Sequence, residues 1–301
     1  MENKNNELLD KKLQKQEKKS AKKANRKTKK DTKKECKKAK KQNKNKESVA
    51  EKEYYFGHEE GADIWSSFLV EKMIAHRGLW DKEYPENSLA AFKNAIENGY
   101  AIELDVHPIE DNTPVVFHDS KMSRMTGKDK YIQNITLEEL ADIKLLDTDE
   151  KIPTLEEVLK MVNGKTPILI EIKNEQKVGE FEKRVLDLLK NYKGEYAIQS
   201  FNPYTLKWFY EHAPKIWRGQ LASFFRGVKL SAFKKSILKR LGMKKYTHQN
   251  FVSYDINNLP NRFTKRLEVP LLTWTVRKQE EYIKAVQYTD NIIFEGFEPK
   301  I

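Results

Sequence analysis

The sequence predicts an α/β chain in which eight parallel strands close into a barrel inside a ring of helices. Three observations carry that reading. From residue 72 onward, short apolar runs alternate with amphipathic helical patterns, the signature of parallel crossovers. Nine such runs occur, and one follows its predecessor through a tight turn, which leaves eight for a closed barrel. The connection after the first run, HRGLWDKEYPENS, has no GxGxxG loop, which argues against the runner-up, an open doubly wound sheet.

The elements follow in order. KMIAH (72–76) reads as a strand, SLAAFKNAIENG (88–99) as a helix ended by Gly99, and YAIELDV (100–106) as the second strand. TPVVFHD (113–119) is the antiparallel extra, joined through EDN, because Asp and Asn favour tight turns. TLEEVLKMVNG (154–164) is a helix with Thr154 and Glu157 at capping-box spacing. The alternation continues with strand 167–173, helix 179–192, strand 196–201, helix 202–213 and strand 216–222. A basic helical stretch (229–245) leads to strand 251–256 and a short helix, NRFTKRLE (261–268). Strand 271–276, helix 278–288 and strand 291–296 complete the set.

Charge divides the chain sharply. Residues 1–53 hold 21 Lys and Arg against 9 Asp and Glu, so the whole net charge of +12 lies there and the remainder is neutral. Residues 10–46 have almost no large apolar side chain, which predicts disorder in isolation. Their basic clusters recur with a mean spacing of 3.6 residues, so a helix formed on binding would carry a basic stripe. Anionic lipid or RNA could order it, and with no apolar face such binding would be salt-sensitive; a solvated extension is the plainer reading. Residues 54–71 read as a lead-in to the barrel. A single cysteine, Cys36, excludes an intrachain disulfide, and no run has the length of a membrane span. The N-terminus has no secretory apolar core, so the expected location is cytoplasmic, with peripheral contact at the inner membrane face.

Barrels of this kind place their chemistry at the C-terminal ends of the strands. The polar residues there are His76, Arg77, Glu103, Asp105, Glu171 and Lys173, with Gln199, Ser200, Gln220, Asp255, Trp274 and Glu295. Glu103 and Asp105 share a strand face by alternation. Like charges within an apolar run need compensation. One such carboxylate is commonly a salt-bridge partner; three from neighbouring strands, Glu103, Asp105 and Glu171, supply hard oxygen ligands. They suit one divalent cation, Mg²⁺ or Ca²⁺, whereas no Cys–His cluster suggests zinc. With His76 and His118 for proton transfer and Arg77 and Lys173 for an anionic oxygen, the set describes a phosphodiester site. His107 is expected to point away from the Glu103/Asp105 face and reads as structural; His58, His212 and His248 read as surface or packing residues.

HRG (76–78), PEN (85–87), ELDV (103–106), VVFHD (115–119), the later RMTG (124–127), EIK (171–173), QSF (199–201) and WTV (274–276) together resemble the glycerophosphodiester phosphodiesterases over residues 72–296. The resemblance implies a TIM (β/α)8 barrel with a small β insertion after strand 2. It implies hydrolysis of glycerophosphodiesters to sn-glycerol 3-phosphate and an alcohol. Under it Glu103, Asp105 and Glu171 are metal ligands, His76 and His118 the acid–base pair, and Arg77 and Lys173 phosphate contacts. Trp274, Glu86 and Asn87 are expected at the substrate. Four positions depart from the family pattern: Ile109, Asn112, Arg277, and the FEGF run (294–297) where Thr-Asp-x-Pro is usual.

Residues 229–246 carry seven Lys and Arg and no acid, with Leu230, Phe233, Ile237, Leu238 and Leu241 on one helical face. An outer barrel helix would bury that face; a basic amphipathic element would hold the site against anionic lipid. The second option favours lysophospholipid substrates and lysophospholipase D-like chemistry. A nucleic-acid-associated role through the basic tail is the remaining class, ranked low because the body has no other basic patch with interleaved aromatics.

Overall fold

The computed structural model describes residue 58 and residues 61–300. The expectations for residues 1–53 and for the start of the lead-in lie outside them. The strands are β1 (Ile74–Ala75), β2 (Ala101–Pro108), β3 (Pro114–Val116), β4 (Ile168–Ile172), β5 (Tyr196–Ser200), β6 (Arg218–Ala222), β7 (Phe251–Asp255), β8 (Leu271–Val276) and β9 (Asn291–Phe294). Apart from β3, each pairs in parallel with its neighbour around the ring, and β1 joins both β2 and β9, so eight strands close a barrel. β3 is antiparallel to β2, with Val106 opposite Val116 and His107 opposite Val115. The turn between them places Asn112 at φ 64°, a left-handed conformation that Asn tolerates.

The helices pack their apolar faces on the outside of the barrel. Leu89–Glu97 is capped by Ser88, and Leu155–Val162 by the reciprocal Thr154–Glu157 box. Phe92, Val158, Leu186 and Phe209, from four different helices, join the outward strand residues Ile102, Ile170 and Ile198 in one core. Residues between β2 and Leu155 form an insertion with its own small core, built on Ile109, Phe117, Met122, Met125 and Ile135. Ile109, one of the departures, is buried there.

The ordered end of the lead-in belongs to the barrel. Phe68 and Leu69 are buried among Ile74, Ala101, Leu169, Phe251 and Ile293, closing the N-terminal end. Asn291 holds this segment by donating to the carbonyls of Leu69 and Lys72.

Two expectations are corrected. Residues 261–268 form turns, with no helix. Asn261 takes the Phe263 and Thr264 amides on its side chain, and so short a helix has little to offset its nucleation cost. The basic stretch splits into helices Ala232–Lys239 and Lys244–Thr247, and no residue of the first is buried, so it is no ordinary outer barrel helix. Among the described residues no helix is long and apolar enough to cross a membrane.

Candidate active site

Strand alternation aims Glu103, Asp105 and Glu171 into the C-terminal end of the barrel. Register sets Asp105 beside Glu171. One oxygen from each of the three carboxylates lies within 4.8 Å of the others, and all three residues are buried. The cluster predicted from the sequence therefore exists.

Its surroundings compensate the charge only in part. Lys173 Nζ lies 2.8 Å from Glu171 Oε1 and 3.2 Å from Asp105 Oδ1. Arg77 Nε is 3.3 Å from Asp105 Oδ2, which also accepts from Asn87 Nδ2 at 2.9 Å. Burial alone would raise the Asp105 carboxyl, but Lys173, His118 and Arg77 hold it well below the usual range. Glu103 goes the other way: burial, then the charges of Asp105 and Glu171, push it well up. Glu171 is raised as well, chiefly by burial. Three buried carboxylates thus share too few cations, and a hard divalent ion supplies what is missing. Among the described residues Asp105 Oδ1 has the Lys173 ammonium beside it but accepts no well-directed hydrogen bond, another mark of an oxygen set for a cation. The donor set fits Mg²⁺ or Ca²⁺.

Local backbone builds the rest. After β1 the chain turns through Arg77 (φ 59°) and Gly78 (φ 83°), which aims the Arg77 N–H at Glu103 Oε2, 3.0 Å away. A Cβ on Gly78 would meet the Ala91 backbone at 2.9 Å, so this turn packs on the first outer helix only with glycine. His76 points its Nδ1 at Glu295 Oε2, 2.5 Å away, and its Nε2 lies 3.9 Å from Glu103. Glu295 Oε1 in turn meets Arg277 Nε at 2.8 Å. Burial would raise Glu295, but His76 and Arg277 bring it down to about 2, so it is a carboxylate. Two of the departures, Arg277 and Glu295, are therefore partners.

The β2–β3 hairpin delivers the other histidine. The Phe117 N–H donates to the Asp105 carbonyl, and His107 Nε2–H donates to the His118 carbonyl at 3.0 Å, fixing the backbone that carries His118. His107 is buried, but alternation puts it on the Glu103/Asp105 face and it lines one cavity with His118, Glu171 and Lys173, so the expectation that it points away is corrected. His118 Nδ1 lies 2.6 Å from Asp119 Oδ1, so its proton sits there and Nε2 keeps its lone pair. Burial first, then Lys173 and Arg77, push His118 down to about 4, which leaves it neutral at physiological pH. Arg124 bonds Asp119 Oδ2 through Nε at 2.6 Å and grips both Glu86 oxygens at 2.7 and 2.9 Å. Arg77 also donates to Glu86, at 2.8 Å. Glu86 thus ties the two arginines together, and Asn87 exchanges hydrogen bonds with Asp105.

Beside Glu171, Lys173 and His118 opens a cavity of about 360 Å³, also lined by Phe201 and Asn202. Trp274 packs edge-on against Phe201, ring centroids 5.6 Å apart, and its indole N–H has no partner among the described residues. Asp255 instead caps a helical turn through the Asn257 amide. His58, His212 and His248 stack on Trp217, Trp208 and Tyr210, away from the carboxylates. Asp119, Arg124 and the His76–Glu295–Arg277 chain carried no role in the sequence reading. Only the His-Asp adjacency offered a signal.

Comparison with known proteins shows the family of the chain. The model of the glycerophosphoryl diester phosphodiesterase family matches residues 76–293. A glycerophosphodiester phosphodiesterase of Caldanaerobacter subterraneus is 33% identical over 226 residues, covering 71% of this chain and 89% of that one. A lysophospholipase D of Rattus norvegicus is 34% identical over 141 residues, 42% of this chain and 44% of that one. Among solved structures, an Oleispira antarctica phosphodiesterase in complex with its product sn-glycerol-3-phosphate superposes with a TM-score of 0.63 at 23% identity, covering 75% of this chain and 93% of that one. The chain belongs to the glycerophosphoryl diester phosphodiesterase family and is a phosphoric diester hydrolase.

Proposed function

We propose, from that membership, that the chain cleaves glycerophosphodiesters to sn-glycerol 3-phosphate and an alcohol, with one divalent cation on Glu103, Asp105 and Glu171. The observation that carries this reading is the buried carboxylate triad flanked by two separately oriented histidines. The cation would supply electrostatic stabilisation of the phosphate oxygens in the transition state. Arg77 and Lys173 stand beside the same carboxylates and hold the phosphate by charge.

His118, neutral and with Nδ1–H given to Asp119, accepts the nucleophile's proton at Nε2. His76, held at Nδ1 by the Glu295 carboxylate, is left to protonate the leaving alkoxide. The new P–O bond comes from water, or first from the substrate's neighbouring hydroxyl; the P–O bond to the alcohol breaks. Glu86 and Asn87 support the site, the first clamping Arg77 and Arg124, the second Asp105. Trp274 walls the alcohol side, with its free indole N–H available to substrate oxygen.

The exposed basic helix supports a second reading, lysophospholipase D-like cleavage at a membrane surface. One experiment covers both. Release of glycerol 3-phosphate and of lysophosphatidic acid is followed across glycerophosphodiesters and lysophospholipids, with Mg²⁺, Ca²⁺ or a chelator. Metal-dependent glycerol 3-phosphate release that His118→Ala abolishes is expected. Lysophosphatidic acid as the dominant product would transfer the assignment to the second reading, and release of neither would refute both.

A further inference from the structure

The β6–β7 excursion, residues 223–250, leaves the mouth end of the barrel after Ala222. From His212 to Tyr254 the chain has no acidic residue. Between Arg226 and Lys245 it carries Arg226, Lys229, Lys234, Lys235, Lys239, Arg240, Lys244 and Lys245. Among the described residues, none of these eight meets a carboxylate within ion-pair distance. Elsewhere on the same surface, Lys130, Lys160, Lys183 and Lys207 each pair with an acid. The lack of any interspersed acid separates this stretch from an ordinary solvated face, where both signs intersperse.

Apolar side chains stand among these cations. Phe233 is 75% exposed, the most exposed of the large apolar residues described, and Tyr246 and Val228 are 57% and 46% exposed. Phe233 lies one turn from Ile237, which is only half-buried. The element is nonetheless anchored. Leu241 is buried with Ala222, Val252 and Tyr254, and the Tyr254 hydroxyl donates to the Lys239 carbonyl at 2.8 Å. At its start, Phe225 packs on Phe201, the same ring that meets Trp274 at the mouth. The excursion is thus a fixed platform continuous with the substrate wall.

We infer that this platform docks the barrel mouth onto an anionic phospholipid surface, with Phe233 and Val228 entering the interface and the exposed cations around them, Lys229 and Lys234 foremost, meeting the headgroups. Unpaired positive charge complements an anionic bilayer, and exposed apolar side chains beside it suit an interface where one end is dry. RNA would use the charge and leave the aliphatic Val228 without a role. The inference goes beyond the hydrolytic assignment and stands on a binding readout that needs no turnover.

The test uses the full chain carrying Phe233→Trp and vesicles of phosphatidylcholine with or without phosphatidylglycerol. A blue shift of the added tryptophan, quenched by brominated lipid and confined to anionic vesicles, is expected. Phe233→Glu should weaken partition about tenfold. Lys234→Gln with Lys235→Gln should weaken it further at low salt, about fivefold per charge. Hydrolysis of a water-soluble glycerophosphodiester serves as the folding control and should stay unchanged in each variant. No shift on anionic vesicles, an equal shift on phosphatidylcholine alone, or a shift seen only with single-stranded RNA would overturn the inference.

Discussion

The two ends of this barrel use the same strands for opposite purposes. Near the N-terminal end the inward side chains are Ile74, Ala101, Leu169, Ala197, Leu272 and Ile293, all buried with Phe68 and Trp217. Two residues further along each strand, on the same face, stand His76, Glu103, Glu171, Gln199, Trp274 and Glu295. Alternation puts both sets inside. The lower set packs as a dry core. The upper set brings carboxylates close enough to shift each other's protonation. One end holds the fold, and the other holds charges that a fold alone would exclude.

The largest expected effect breaks the upper end alone. His118→Ala should lower kcat by about 10²–10⁴-fold with little change in Tm, because that side chain is only partly buried in the rim. Steady-state kinetics and calorimetry on one preparation check it. At the lower end, Leu169→Ala should cost about 2–5 kcal/mol of stability while kcat per folded molecule is largely kept, since the Leu169 side chain is fully buried in the apolar lower core, although its backbone register partner is Glu103. Urea titration measures it. A large loss of kcat in the folded Leu169→Ala protein would show that the two ends are not separable.

The next effect is a dependence of stability on pH. Glu103 is raised above its ordinary 4.5, so the metal-free folded chain keeps a proton that the unfolded chain has released. Stability from that proton is complete below the unfolded value and is lost as pH rises through the folded one. Asp105 and His118, both lowered, have the opposite sign, and their contributions are lost only as pH falls. The Glu103 and Glu171 contributions thus fall with rising pH while those of Asp105 and His118 grow. In metal-stripped protein Glu103→Gln should therefore remove a falling contribution, so that its Tm rises more, or falls less, with pH than that of the unsubstituted chain. Identical pH dependence of Tm in the two proteins would contradict the arrangement.

A smaller effect concerns the orientation of His118. With His118 pushed down to about 4, kcat/KM should stay level through mildly acid pH and fall only near that value. Asp119→Asn should cost about 10²-fold or more in kcat, by removing the acceptor that fixes the tautomer. An acid limb near the ordinary histidine value would show that His118 is not the acceptor.

How much of this was legible follows from the range of the contacts. Strand alternation is local, so Glu103, Asp105 and Glu171 could be aligned from sequence, as could the Thr154–Glu157 cap. Arg277 and Glu295 were visible as separate departures, but their meeting with His76 needs β9 to close onto β1, more than two hundred residues away. Arg124 reaches Asp119 and Glu86 only because the insertion folds on its own core. The turns at 261–268 escaped because apolar spacing resembles a helix, whereas Asn261 draws the amides to its own side chain.

The most direct measurement follows Tm and glycerol 3-phosphate release together as metal-stripped protein is titrated with Mg²⁺ or Ca²⁺. The two signals should rise along one binding curve, and Glu103→Gln should shift that curve at least about a hundredfold to weaker binding. Full activity in the stripped protein, or metal binding undisturbed in Glu103→Gln, would contradict the assignment of the upper end of the barrel as a cation-assisted phosphodiester site.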